Sequence, residues 1–318
     1  MEGSFTQIGL DALPPQDMAR KAEDVGVTKA GLSTPATLAL AVLAGAFIAL
    51  GAIFATTATA GTADLPFGAT RLIAGVTFSL GLILVVVAGA ELFTGNNLIV
   101  MAWAGRRVST ARLLRNWTLV YLGNLAGALG TVAIVYASRQ YEFGDGSVGA
   151  QALSIAAAKT NFGFVQAIAL GALCNALVCL AVWLCYSARS AADKILAIVP
   201  PIAAFVAAGF EHSVANMYFV PVGLLVKTDD AFTATQQGLP DLSELTWGRF
   251  LVANLIPVTI GNIIGGAVMV GAMYWFVYLR NGRPPSEALP HEHTQGPFET
   301  GNSRRVSADG SRTRFARR

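Results

Sequence analysis

Gly209-Phe210-Glu211-His212-Ser213-Val214-Ala215-Asn216 interrupts an apolar run that begins near Ile195 and resumes from Met217 to Leu225. The flanks read as membrane helix and the centre does not. An ionisable side chain at bilayer depth costs roughly 2.5–3.5 kcal/mol on the insertion scale. Broken helix at that depth is tolerated only where it is buried in protein or lines a water-filled path. A glutamate beside a histidine, after a glycine and before an asparagine, therefore predicts a helix break inside a bundle. His291 and His293 lie in a polar tail, so His212 is the only histidine in the apolar part. It reads either as a packing residue that ties helices together or as a functional group facing a pathway.

Working outward, 54% of the 318 residues are hydrophobic, 13% are charged and the mean hydropathy is +0.55. That composition belongs to a polytopic membrane protein rather than a soluble globule. Cys174, Cys179 and Cys185 crowd into one apolar segment. They are too few and too clustered for a disulfide framework or a zinc site, and read as packing residues. Six segments approach the ~20 residues needed to span a bilayer. They run from about 35 to 60, from 70 to 103 with a break at Glu91–Asn97, and from 113 to 136. The others run from 159 to 186, from 194 to 227 with the His212 break, and from 249 to 279.

The chain is expected to divide into three parts. Residues 1–34 form an N-terminal arm with no apolar leader, in which Asp17–Lys29 can form a short amphipathic helix. Residues 35–280 form the six-helix transmembrane domain. Residues 281–318, rich in Pro, Ser, Gly and Arg, read as a disordered basic tail. Arg106, Arg107, Arg112 and Arg115, then Arg189 and Lys194, then the arginines of the tail mark one side of the membrane. The opposite loops are acidic or neutral, so both termini are expected in the cytoplasm. The basic tail suits anionic lipid; no nucleic-acid partner is implied.

An internal repeat fixes the architecture. Ala49-Leu50-Gly51-Ala52 matches Ala169-Leu170-Gly171-Ala172, and Gly89-x-Glu91 matches Gly209-x-Glu211, both 120 positions apart. Gly123-Asn124-Leu125-x-Gly127 likewise matches Gly261-Asn262-Ile263-x-Gly265. Each half thus has three spans with a broken middle one. An odd number of spans per half requires the halves to be inverted, the plan of transport proteins whose path runs between repeats. The predicted fold class is therefore all-α and integral to the membrane, with broken second and fifth helices.

The breaks offer chemistry for an anion path. Internal helix N-termini present N–H groups and partial positive charge. Thr94 and Asn175 add neutral hydrogen bonds, and Lys159 either attracts anions or marks the interface. Phe78, Leu82, Leu92, Phe93 and Phe205 lie close to the breaks, as packing residues or as hydrophobic constrictions. Gly144-Asp145-Gly146-Ser147-Val148-Gly149 fits G-x-G-x-x-G without a preceding strand, and reads as a turn. No Asn-Pro-Ala pair suggests a water channel, and no G-x-S-G accompanies His212. A membrane enzyme built on Glu211 and His212 would need a nucleophile or a metal set.

Gly89-Ala90-Glu91-Leu92-Phe93-Thr94-Gly95, the run Gly171 to Ala181 (GALCNALVCLA) and Gly209 to Met217 (GFEHSVANM) resemble signatures of the formate–nitrite transporter family, in its formate-channel branch. The resemblance covers about Met18 to Arg280. It implies an aquaporin-like protomer in a homopentamer of the bacterial inner membrane, one path per subunit, with no cofactor and no enzymatic activity. By motif, His212 resembles the central pore histidine, Thr94 the loop threonine that contacts it, and Asn175 the pore asparagine. Lys159 and Glu211 resemble the paired polar residues of the outer vestibule. Phe78 and Phe205 resemble the outer constriction, and Leu82, Leu92 and Phe93 the inner one. The chain departs at Gly95-Asn96-Asn97, where formate channels tend to carry small hydroxyl residues. Formate is the implied substrate, with nitrite, hydrosulfide and acetate as alternatives. Near His212 the anion would either take a proton or be stabilised as an anion.

Overall fold

The apolar runs become helices wherever they are long enough to satisfy their backbone internally, as a bilayer demands. The computed structural model describes residues 12–281; beyond its first residue, the expected basic tail lies outside the described residues. Among the described residues every regular element is helical. The first half contains α1 (Pro15–Gly31), α2 (Thr34–Thr59) and α3 (Phe67–Ala88). After a break come α4 (Phe93–Asn96), a 3-10 turn (Asn97–Ile99), α5 (Val100–Ala104) and α6 (Thr110–Ala137). The second half contains α7 (Ser147–Thr160), α8 (Phe164–Ser187) and α9 (Ala191–Ala207). After its own break come α10 (Ser213–Lys227), the short α11 (Asp230–Thr235) and a last span, α12 (Trp247–Tyr278). Two stretches of α12, Phe250–Leu255 and Ile264–Ala272, are π-helical.

The two breaks share one construction. Gly89 (φ +81°) and Gly209 (φ +79°) end α3 and α9 in the left-handed region that a side chain would strain. Three non-helical residues follow each glycine, the last of them extended. The amides of Glu91 and Glu211 donate to Leu40 O and Leu170 O, each at 3.2 Å. Asn124 then closes the first break: its Nδ2 donates to Ala41 O and Glu91 O, and its Oδ1 accepts from Phe93 N. Asn262 repeats the arrangement with Gly171 O, Glu211 O and Ser213 N. Extended backbone buried at this depth would otherwise leave these groups unpaired. Close helix contact is set by glycine. A Cβ on Gly127 would lie 2.0 Å from Val42 O, and one on Gly265 2.0 Å from Ala172 O.

Two expectations change. The stretch before span four, read as a polar loop, contains α7. Its 14 residues, many of them small, are too few to cross a bilayer. They still bury a stripe of Val148, Ala152, Leu153, Ala156, Ala157 and Thr160. Lys159 accordingly sits on α7 and not on span four. The glycine motif is a turn, as expected; Gly144, Asp145 and Gly146 all have positive φ and deliver the chain into α7. In the repeat α7 corresponds to α1, which is packed into the bundle through Met18, Ala19, Ala22, Gly26 and Ala30. Each half is thus a short helix, a span, a broken span and a span.

Candidate functional site

Each break supports a buried charge pair of the same design. Glu211 accepts from Lys159 Nζ at 2.8 Å on one oxygen and from Asn216 Nδ2 at 2.8 Å on the other. Asn254 links them, bonded to Asn216 and Glu211 and donating to Lys159 O. Across the pseudo-two-fold axis, Glu91 accepts from Lys29 Nζ and Asn96 Nδ2, both at 2.6 Å, and Asn116 joins Asn96 to Lys29 O. A buried carboxylate needs such full coordination to remain charged. Lys29, Asn116 and Asn254 were not read from the sequence as site residues, and Asn96 only as a departure from the family pattern. The signal was present, since Asn96 and Asn216 stand 120 positions apart like the glutamates.

Two cavities flank the breaks. The Lys159-side cavity, about 380 Å³, is lined by Arg71, Phe78, Lys159, Phe205, Glu211 and His212 among others. The Lys29-side cavity, about 350 Å³, is lined by Lys21, Lys29, Leu82, Glu91, Leu92 and Lys194 among others. Phe78 and Leu82 are one turn apart on α3, so about 6 Å of helix rise separates the two walls. Phe78 meets Phe205 edge-on at 5.8 Å between centroids and stacks on Phe219 at 6.1 Å. Phe205 lies flat against the His212 ring at 6.0 Å. Phe93 lines neither cavity; its ring packs edge-on against Tyr121 and Trp117.

His212, on the wall of the Lys159-side cavity, reaches Thr94 of the first break. It is the N-cap of α10, and its Nδ1 accepts from Ala215 N at 3.0 Å. That bond fixes the tautomer: the neutral ring carries its proton on Nε2, which lies 2.9 Å from Thr94 Oγ1 and donates to it. The threonine hydroxyl keeps its own proton for another acceptor. Asn175 stands behind Thr94, its Nδ2 within reach of Thr94 O, Asn97 Oδ1 and Asn262 O. It lines neither cavity and instead holds the start of α4 to the second repeat. The helix N-termini are less open than expected, because Asn124, Asn262 and His212 occupy three of their N–H groups. Ser213 Oγ, also not anticipated, is buried next to His212 with no hydrogen-bond partner among the described residues.

The scaffold is symmetric and its chemistry is not. Leu92 (φ −107°, ψ 127°) and His212 (φ −110°, ψ 113°) occupy the same backbone slot of the two breaks. A hydrophobe fills one slot and a hydrogen-bonding ring the other.

An inverted repeat with broken helices, two charged vestibules and one polar contact between them defines a multi-pass membrane protein of the channel or transporter class. Its sequence matches the family model described as "Formate/nitrite transporter" over residues 16–276, and the chain belongs to that family. It is 47% identical over 273 residues to "Formate channel FocA" of Escherichia coli K12, covering 85% of this chain and 96% of that one. It is 40% identical over 263 residues to the Haemophilus influenzae FocA, covering 82% and 93%. Among solved structures it resembles a "Pentameric formate channel with formate bound", with TM-score 0.73 and 45% identity over 78% of this chain and 98% of that chain. An "FNT family ion channel" aligns with TM-score 0.69 and 31% identity over 82% and 98%.

Proposed function

We propose that the protein conducts formate, with nitrite and other small monovalent anions as competing substrates, and that it works as a homopentamer with one path per subunit. The observation that carries this is the His212–Thr94 contact set between two cationic vestibules. The likeness to pentameric and formate-named channels supports the substrate and the assembly. The membrane is the bacterial cytoplasmic one, with Lys29 on the cytoplasmic side and both termini inside, in accord with the arginine distribution. Residues 1–34, 35–280 and 281–318 serve as arm, channel and tail.

A bare anion crosses an apolar constriction at high cost. Phe78 with Phe205, and Leu82 with Leu92, are the two constrictions, and Phe93 backs the second wall. Between them Thr94 donates its hydroxyl hydrogen to the anion while His212 Nε2–H holds the threonine oxygen. Asn175 fixes Thr94, and the Lys159–Glu211 pair fixes the His212 break. His212 takes a second proton only by releasing Ala215 N–H, so the neutral ring acts as an orienting donor. This favours stabilisation of the anion at the centre over proton donation by the ring.

The test is uptake of labelled formate into proteoliposomes, with nitrite, acetate and hydrosulfide as competitors. Saturable uptake in which formate competes best supports the reading. Uptake no faster than in empty vesicles refutes it, and stronger competition by nitrite reassigns the substrate within the family.

A further inference from the structure

Lys159 is the obvious cation of its vestibule, but its charge is already matched. Its ammonium lies 2.8 Å from Glu211 Oε1, and both side chains are largely buried, at 14% and 4% exposure. The pair is neutral from the cavity's point of view. The vestibule has another cation, Arg71, half-buried in the second turn of α3. Its Nε donates to Ala207 O at 3.2 Å and its Nη2 to Val206 O. These are the last carbonyls of α9, which ends at the break. The guanidinium lies against the break itself, 3.4 Å from where a Cβ on Gly209 would be. No carboxylate forms an ion pair with it among the described residues.

A helix C-terminus carries about half a negative charge. Left bare, the end of α9 would repel an anion at the mouth of the path. Arg71 cancels that half charge and leaves net positive charge facing the cavity. Two of its five N–H groups are used on α9, so others are available to a ligand. We propose that Arg71 is the anion-collecting residue of the Lys159-side vestibule, and that Lys159 with Glu211 forms a neutral structural pair. The inference rests on the transport reading above.

The experiment measures initial formate uptake into proteoliposomes against formate concentration, with formate supplied on the Lys159 side, at low and high ionic strength. Wild type is compared with Arg71→Lys and Arg71→Gln, each confirmed as an intact oligomer by size. Glutamine still donates to the α9 carbonyls but carries no charge. Arg71→Gln is expected to raise the half-saturating formate concentration roughly three- to tenfold and to flatten its salt dependence, with a smaller change in maximal rate. Arg71→Lys is expected to stay near wild type in both. Arg71→Cys supplies an internal control: labelling the folded variant with a cationic thiosulfonate should restore affinity, and a neutral one should not. Wild-type half-saturation and salt dependence in Arg71→Gln would overturn the proposal. So would equal loss of maximal rate in all variants at unchanged half-saturation, which marks a helix cap alone. Wild-type vesicles without formate uptake would instead overturn the transport reading.

Discussion

His212 has a structural duty in addition to its proposed place on the path, because its Nδ1 caps α10 through Ala215 N. The two duties separate by substitution. Asparagine is a strong N-cap residue, whereas alanine in place of a good cap costs about 1 kcal/mol. His212→Asn is therefore expected to keep the fold and the oligomer, while losing the Nε2 contact to Thr94 and, with it, most of the rate of formate uptake. The measurement is initial formate uptake beside thermal stability in detergent; an unchanged rate would make His212 a packing residue. His212→Ala should lose activity and some stability together. Glu211 offers a second test, since its oxygens take donors from Lys159, Asn216 and Asn254. Removing one partner of a buried ion pair typically costs about 3–5 kcal/mol. Glu211→Gln is expected to lower the melting temperature clearly, and Lys159→Met with Glu211→Gln together to lower it less than the sum of the two single changes.

At the scale of elements, the broken helices depend on residues outside them. Asn262 on α12 bonds Gly171 O, Glu211 O and Ser213 N at once. Replacing it with leucine strands buried polar groups, each worth about 1–3 kcal/mol, and should abolish a stable oligomer as judged by size exclusion. Gly265→Ala should also destabilise, because the new methyl would meet backbone and not a movable side chain. At the loop ends of α7 and α11, Asp229 is held below the usual carboxylate range by the amide of Phe232 and then by the Tyr141 hydroxyl. Its folded pKa is depressed, so its contribution is complete above about pH 4, the ordinary aspartate range. That contribution is lost as pH falls through the lower folded value. The melting-temperature gap between wild type and Asp229→Asn should be constant from pH 7 to 5 and close below about pH 4.

For the whole molecule, the proposed function places the two vestibules and the two apolar walls in series. Hydrophobic constrictions exclude by denying hydration, so opening one should leave the other in control. Phe205→Ala and Leu92→Ala are each expected to raise leak of small neutral solutes modestly while formate uptake persists. The double variant should leak more than the two single ones combined. Stopped-flow shrinkage of proteoliposomes against a small polyol measures this, and unchanged leak in folded double variant protein would remove these residues from the barrier. The spans leave large apolar residues exposed, Ile134, Val165 and Leu196 among them, which the proposed pentamer in a bilayer would cover with lipid or neighbouring subunits.

Much of this protein was settled by its linear order. Long apolar runs must be helices in a bilayer, and Gly-x-Glu at one spacing must interrupt them in two equivalent places, so the spans and the breaks follow from local chemistry; the Ala-Leu-Gly-Ala match does not mark equivalent positions, since Leu170 and Gly171 take the parts of Leu40 and Ala41. The His212, Thr94 and Glu211 positions follow from the same motifs. Tertiary structure decided the partners. Lys29 pairs with Glu91 from 62 positions away, and Arg71 reaches the end of α9 from 135 and 136 positions away, separations at which no periodicity reports contact. It also decided that α7 is a helix, because its small residues carry too weak an apolar stripe until Phe232 and Tyr141 pack against Gly149. It decided, finally, which way His212 holds its proton, since that depends on one amide, Ala215 N, being turned toward Nδ1 by the helix it begins.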